Sequence, residues 1–305
     1  MLKKYFIFPT FLILVCFTAG CSMKKMATTT IGKIATDGSV VLEKEQDVDL
    51  ARNSTPSLIL TLEVLSAGNP KDKRLLTLLA KAYGQYAFGF LEEDLLQYKH
   101  GDRPAYQKSY DRANLFYKKG KAYGLNALWY GDKQEKILIL PQAEFEKELM
   151  KFGRKDVPAL FWTAFCWGNW INLHRDDPMT FVDLPRATAI MERVLELDPG
   201  FYYGSVHSYL GAIAGSRPKM LGGNPELAQK EFQAASQAAP DYLMHKVLYA
   251  QYYAVQVQDR ALFESVLAEV QEKDLNDLHQ DDMRLANELA KRRAIILLEK
   301  VKSYF

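Results

Sequence analysis

The chain has 305 residues, 48% hydrophobic and 25% charged, with a formal net charge of +2. That is ordinary globular chemistry, and the length suffices to bury a sizeable core. With Lys3 and Lys4 of the leader set aside, basic and acidic side chains are equal in number, which excludes a nucleic-acid footprint and an electrostatic membrane patch.

The first segment, "MLKKYFIFPTFLILVCFTAG" (1–20), pairs a basic start with an apolar middle and the small residues Ala19-Gly20 before Cys21. This is the layout of a secretory leader. Its apolar run is interrupted by Pro9 and is short for a membrane span. The cysteine after the small pair resembles the lipobox of bacterial lipoproteins, although Thr18 stands where leucine is usual. Residues 1–20 are therefore expected to be removed as a lipoprotein signal peptide, with Cys21 acylated and holding the protein at a bilayer by its lipid alone. Ser22 suits sorting to the outer membrane. Cys16 leaves with the leader and Cys21 takes the lipid, so Cys166 remains without a disulfide partner. Beyond the leader no apolar run reaches about 18 residues, the length a spanning helix needs.

Residues 21–54 read as a lipidated tether with one or two short helices, and residues 55–305 as one helical domain. "KILIL" (136–140) before Pro141 is the sole strand candidate. Elsewhere apolar residues recur at three- and four-residue spacing, broken by Pro, Gly and Asp, the pattern of successive helices. Three segments share one register: Leu58, Leu62, Leu65 before Pro70; Ala187, Met191, Val194 before Pro199; and Ala228, Phe232, Ala235 before Pro240. A second register recurs in Leu76, Leu79, Ala80, Tyr83, in Leu160, Thr163, Ala164, Trp167, and in Lys246, Tyr249, Ala250, Tyr253. The small residue lets two helices approach, and the aromatic three positions on fills the space beside it. Lys246 and Glu269 break their copies of the pattern. The fold expected is all-α: a degenerate tetratricopeptide-repeat (TPR-like) α-solenoid of paired antiparallel helices, closed by a polar-faced capping helix over 281–302.

"ALFWTAFCWGNWINLHRDD" (159–177) concentrates three of the four tryptophans. It is apolar nearly all round its helical wheel, as a helix buried on all sides must be. The repeat register turns Thr77, Lys81, Gln85, Phe161, Phe165, Asn169, Ser208, Ala212, Val247 and Gln251 toward a concave face. That mixture of apolar groups and amides suits a peptide, a protein loop or an apolar ligand. It gathers no titratable constellation, so no catalytic residue, no metal and no cofactor is assigned. Cys166 has no cationic neighbour in sequence to stabilise a thiolate and reads as an inert core thiol. His174 with Arg175, Asp176 and Asp177 ends a helix before Pro178. "LGGNPELAQKEF" lacks the Lys-Ser/Thr of a phosphate loop. Its Asn224-Pro225-Glu226 reads instead as an N-cap, a first-turn proline and an acid at the helix start.

"ALFWTAFCWGNWI", "LPRATAIMERVLELDPGF", "RPKMLGGNPELAQKEFQAA" and "MRLANELAKRRAIILL" together resemble TatT, the TPR-containing T component associated with tripartite ATP-independent periplasmic (TRAP) transporters. The likeness covers roughly residues 45 to 300, and its most specific piece is the Leu-Gly-Gly-Asn-Pro insertion. The resemblance implies a non-enzymatic lipoprotein at the periplasmic face of a bacterial membrane. It would dock the extracytoplasmic solute-binding subunit, assemble as a homotrimer, and help deliver an apolar or carboxylate ligand. The alternative is a generic TPR scaffold lipoprotein in outer-membrane or envelope assembly. A third reading, a murein lytic enzyme, would need a second catalytic domain for which the chain has no room.

Overall fold

The computed structural model describes residues 30–99, 101–217, 219–277 and 281–305. The leader, the lipobox and Cys21 lie outside the described residues. Every regular element among the described residues is helical. In chain order they are α1 (residues 30–43), α2 (Val48–Gly68), α3 (Lys73–Tyr86), α4 (Glu92–Tyr98), α5 (Arg103–Leu128), α6 (Asp132–Leu138) and α7 (Gln142–Leu149). There follow α8 (Val157–Leu173), α9 (Leu184–Leu197), α10 (Phe201–Gly215), α11 (Pro225–Ala238), α12 (Met244–Leu248), α13 (Arg260–Glu272) and α14 (Arg284–Glu299). One π-helical turn, Ala87–Leu91, joins α3 to α4, and a second, Tyr249–Ala254, extends α12.

Local chemistry sets the helix starts. Asp47, Asp72, Asp102, Asn224 and Asp259 each accept backbone N–H bonds from the first turn that follows. Pro70, Pro199 and Pro240 each fall two residues past a helix end, where proline cannot prolong the ladder. The "KILIL" run is not a strand: its first three residues close α6, which buries only Ile137. Among the described residues no neighbouring strand is there to pair with it, so the one-sided helical pattern decides. The domain boundary expected at 55 falls inside α2, a continuous 21-residue helix, and Ala35 and Leu42 of α1 already pack on the core.

The small residues expected at close helix contacts, Ala80, Ala164 and Ala250, are all fully buried. On α5 a glycine stripe continues the same device. A Cβ at Gly124 would stand 2.4 Å from Thr163 Oγ1 and 2.9 Å from Thr163 Cα, so only glycine lets α5 approach α8 this closely. The two residues that broke the repeat pattern, Lys246 and Glu269, pair with each other in an ion pair between α12 and α13.

Neighbouring helices pack in succession: α2 on α3, α3 on α5, α5 on α8, α8 on α9, α10 on α11, and α13 on α14. The last helix packs on more than α13. α14 also touches α2 and α4, so the chain's final long helix returns to its first ones. Buried charge fastens the junction. Arg293, 2% exposed, donates to the Phe88 carbonyl at 2.5 Å, lies 4.4 Å over the Phe88 ring, and faces Glu92 at 3.6 Å. Arg292 and Arg52 share Glu93 at 3.0 and 3.2 Å, and Arg52 also meets Asp94 at 2.9 Å. Lys300 donates to the Leu96 and Gln97 carbonyls, a cation at the C-terminal end of α4. Packed helices thus form a closed circuit.

Candidate functional site

Between these helices lies a partly open chamber of about 520 Å³. Its wall draws on α1, α2, α3, α8, α10, α12 and α14 and is mostly apolar: Leu62, Phe90, Trp162, Phe165 and Leu289 are representative. The polar groups are few and gathered. Lys81 Nζ stands 3.0 Å from Glu43 Oε1, with both side chains largely covered, and donates to Ser39 Oγ at 3.4 Å. Gln85 Nε2 reaches Glu43 at 3.5 Å and donates to the Tyr202 hydroxyl at 2.6 Å.

Tyr202 belongs to an unusual turn. Tyr202, Tyr203 and Gly204 all hold left-handed backbone angles, with φ of 48°, 60° and 71°. For a residue with a side chain this region costs on the order of 1–3 kcal/mol and persists only where surroundings enforce it. Here they do. Tyr203 donates its hydroxyl to the Asp282 carbonyl at 3.2 Å, and its own carbonyl bonds His245 Nε2 at 2.8 Å. Tyr203 stacks on Tyr242 with centroids 5.0 Å apart, and Tyr202 meets Trp162 edge-on at 4.9 Å. A Cβ at Gly204 would come within 2.7 Å of Ala238 Cβ, so glycine serves both the positive φ and the approach of α11. Strain stored beside a chamber is a mark of a working site.

Burial sets the protonation states around this polar end. It pushes the Tyr203 and Tyr242 hydroxyls far above their ordinary value, and the nearby Glu43 carboxylate adds to both. His245, 1% exposed, is pushed down to about 4 by burial, against a smaller upward pull from the Tyr203 carbonyl. It is therefore neutral at ordinary pH. Its second nitrogen lies 2.7 Å from Ser208 Oγ, so Nε2–H donates to Tyr203 while Nδ1 accepts the serine proton.

Of the ten residues expected on the concave face, Lys81, Gln85, Phe165, Asn169, Ser208 and Ala212 line the chamber. The other four lie elsewhere. Phe161 is fully buried under Phe201 and Tyr202 of α10, with centroids 5.2 and 5.9 Å away. Thr77 spends its hydroxyl on the Lys73 carbonyl at 2.7 Å. Val247 is fully buried, and Gln251 keeps a buried Oε1 that has no hydrogen-bond partner among the described residues. On α12 and its π turn the lining residues are Met244, His245, Leu248 and Tyr252. The stripe is displaced by one position from 247 and 251.

The aromatic stretch on α8 divides its labour. Trp162 faces the chamber, Trp167 donates to Asp183 at 3.0 Å with Lys121 3.9 Å over its ring, and Trp170 donates to Asn114 at 2.9 Å. Cys166 is fully buried, with burial pushing its thiol far above its usual value and its Sγ donating to the Ala80 carbonyl at 3.4 Å. An inert thiol is what those surroundings give. His174 caps α8 and its Nδ1 lies 2.8 Å from the Trp170 carbonyl. Asn224 accepts from Leu227 N–H at 3.0 Å, so the Gly-Gly-Asn-Pro run starts α11. No group of three or more candidate metal ligands exists among the described residues.

An all-helical body with a partly open, mostly apolar chamber and one polar corner has the lining usual for a ligand pocket. Comparison with known proteins then gives the family. The model of the TRAP transporter T-component family matches residues 44–305, and the chain belongs to that family. A protein of Treponema pallidum (strain Nichols), described as uncharacterized, is 23% identical over 307 residues that cover 94% of each chain. Membership supports an accessory role in TRAP transport, an envelope-associated process. Among the described residues no helix is long and apolar enough to cross a membrane.

Proposed function

We propose that this protein is a lipid-anchored, periplasmic binding component of a TRAP-type uptake system, and acts without catalysis. Its circuit of paired helices is read as a degenerate TPR-like solenoid turned back on itself by α14. The outer helical surface docks the extracytoplasmic solute-binding subunit, and the chamber receives an apolar or carboxylate ligand on its way to the permease. Cys21 carries the lipid, the outer membrane is the favoured site, and the assembly is a homotrimer as the family resemblance implies.

The observation that carries this reading is the chamber of about 520 Å³ inside a TRAP T-component. That volume lies within the roughly 300–1,000 Å³ typical of small-ligand sites. The test is a pull-down with tagged full-length protein from native membrane extract. Recovery of a periplasmic solute-binding protein is expected, and recovery of envelope-assembly factors alone would refute the reading.

A further inference from the structure

We propose that Lys81 and Gln85 form a carboxylate-reading site at the polar end of the chamber, for a monocarboxylate with an apolar tail. The Glu43 side chain of α1 occupies that site as a built-in stand-in, and the ligand displaces it. This deepens the reading of the chamber as a ligand site and depends on it.

Geometry supplies the first argument. The Glu43 carboxylate already sits where a ligand's would, 3.0 Å from Lys81 Nζ and 3.5 Å from Gln85 Nε2. Gln85 is held in place from behind by the Tyr202 hydroxyl, and Tyr202 by its enforced left-handed turn. The cradle is preorganised, which is how a few polar groups in an apolar site fix a ligand's orientation.

The second argument is an asymmetry between the two charges. Lys81 and Gln85 belong to α3, nine of whose 14 residues are buried. Glu43 belongs to α1, where only Gly32 among residues 30–43 is buried and Ile31, Ile34 and Val41 are exposed. An element with so few buried contacts opens at low cost. The cation is therefore fixed and the anion removable, which selects an incoming carboxylate over an incoming amine. An amine would have to displace Lys81 from a core helix. Glu45, another acid at the wall, already accepts the Asp47 N–H at 2.8 Å, at the start of α2.

Charge balance is the third argument. An ammonium facing apolar walls is costly unless paired. In the structure Glu43 supplies the pairing. With a ligand bound, the ligand's carboxylate replaces it, Glu43 turns to water, and the chamber's charge is unchanged. The tail then runs along Leu62, Trp162, Phe165 and Leu289. Exchange of one carboxylate for another makes occupancy and the position of α1 two readings of the same event.

The experiment uses the full chain with decanoate, decanol and decylamine as probes, titrated calorimetrically into wild type, Glu43→Gln and Lys81→Met. Decanoate should bind Glu43→Gln at least tenfold tighter than wild type. Lys81→Met should bring decanoate down to the affinity of decanol, which itself should bind all three proteins alike. Removing one methylene from the probe should weaken it about fourfold. Amide exchange in residues 30–43 of the wild-type protein should accelerate when decanoate is added. Equal binding of decanoate and decanol to Glu43→Gln, or a preference for decylamine, would overturn the inference while leaving the chamber a ligand site. Unchanged exchange in α1 with decanoate bound would also overturn it. Failure of all three probes to bind Glu43→Gln would overturn the chamber reading as well.

Discussion

Arg293→Met tests how the helical circuit is closed. The wild-type guanidinium is 2% exposed and bridges α14 to the π turn, through the Phe88 carbonyl at 2.5 Å, the Phe88 ring at 4.4 Å and Glu92 at 3.6 Å. Methionine keeps most of the apolar stem, so what is lost is charge and hydrogen bonding. Glu92, its side chain 15% exposed, would keep the Tyr117 hydroxyl at 2.5 Å as its hydrogen-bond partner among the described residues. Breaking a buried pair from one side costs about 3–5 kcal/mol, a large part of the roughly 5–15 kcal/mol that holds a domain folded. Burial already holds the Glu92 carboxyl above its ordinary value, against the lowering effect of Arg293. Without Arg293 the shift is larger. A carboxyl raised in the folded state takes its proton before the unfolded chain does as pH falls, so the variant regains stability toward acid and loses it as pH rises. Urea unfolding followed by circular dichroism, on wild type, Arg293→Met, Glu92→Gln and the double variant, reads this directly. The penalty should be about 3–5 kcal/mol at pH 8, smaller at pH 5, and much reduced in the double variant. A penalty below about 1 kcal/mol that is the same at both pH values would show that the pair does not hold the circuit shut.

Three further outcomes are expected. His245, pushed down to about 4 by burial, binds its proton later than the unfolded chain does. Stability should therefore fall as pH drops from about 6.5 to about 4, by up to about 3 kcal/mol; urea titrations of His245→Gln should lack that component, and identical slopes would contradict it. Gly124→Ala drives a Cβ against the Thr163 backbone, so thermal unfolding should report a loss of about 1–3 kcal/mol; an unchanged melting temperature would mean α5 and α8 are not this close. Phe165→Ala removes a half-buried ring packed on Phe88 and Trp162 at 5.4 and 5.3 Å. It should cost about 2 kcal/mol in chemical denaturation and weaken apolar probes in the chamber, and a loss of stability without any loss of binding would separate Phe165 from the ligand.

The parts of this fold that were legible in sequence are those set by neighbours three and four residues away. Ala80, Ala164 and Ala250 are fully buried because a helix contact repeats locally, and Pro70, Pro199 and Pro240 follow helix ends because proline acts locally. The Asn224 cap is local chemistry of the same kind. Which side of a helix faces the chamber is a long-range property, and there the register slipped. The π turn at Tyr249–Ala254 accompanies a lining stripe one residue on from Val247 and Gln251, and α10 folds over Phe161. Nothing periodic marks a left-handed Tyr202-Tyr203-Gly204, although a glycine after two aromatics was an available hint. Leu289 was missed because α14 reaches the chamber only through the return of the chain's end to its beginning, and Glu43 and Leu58 because α1 and α2 lay outside the repeat register used to choose the concave face.

That return, and the partly open chamber it helps to line, can be tested most directly by a crystal structure of the protein under xenon pressure, since xenon enters apolar cavities. Xenon should occupy the space between Leu62, Phe165, Tyr202 and Leu289, with α14 seated against α2 and α4. A chamber filled by its own side chains, or α14 lying away from α2 and α4, would contradict it.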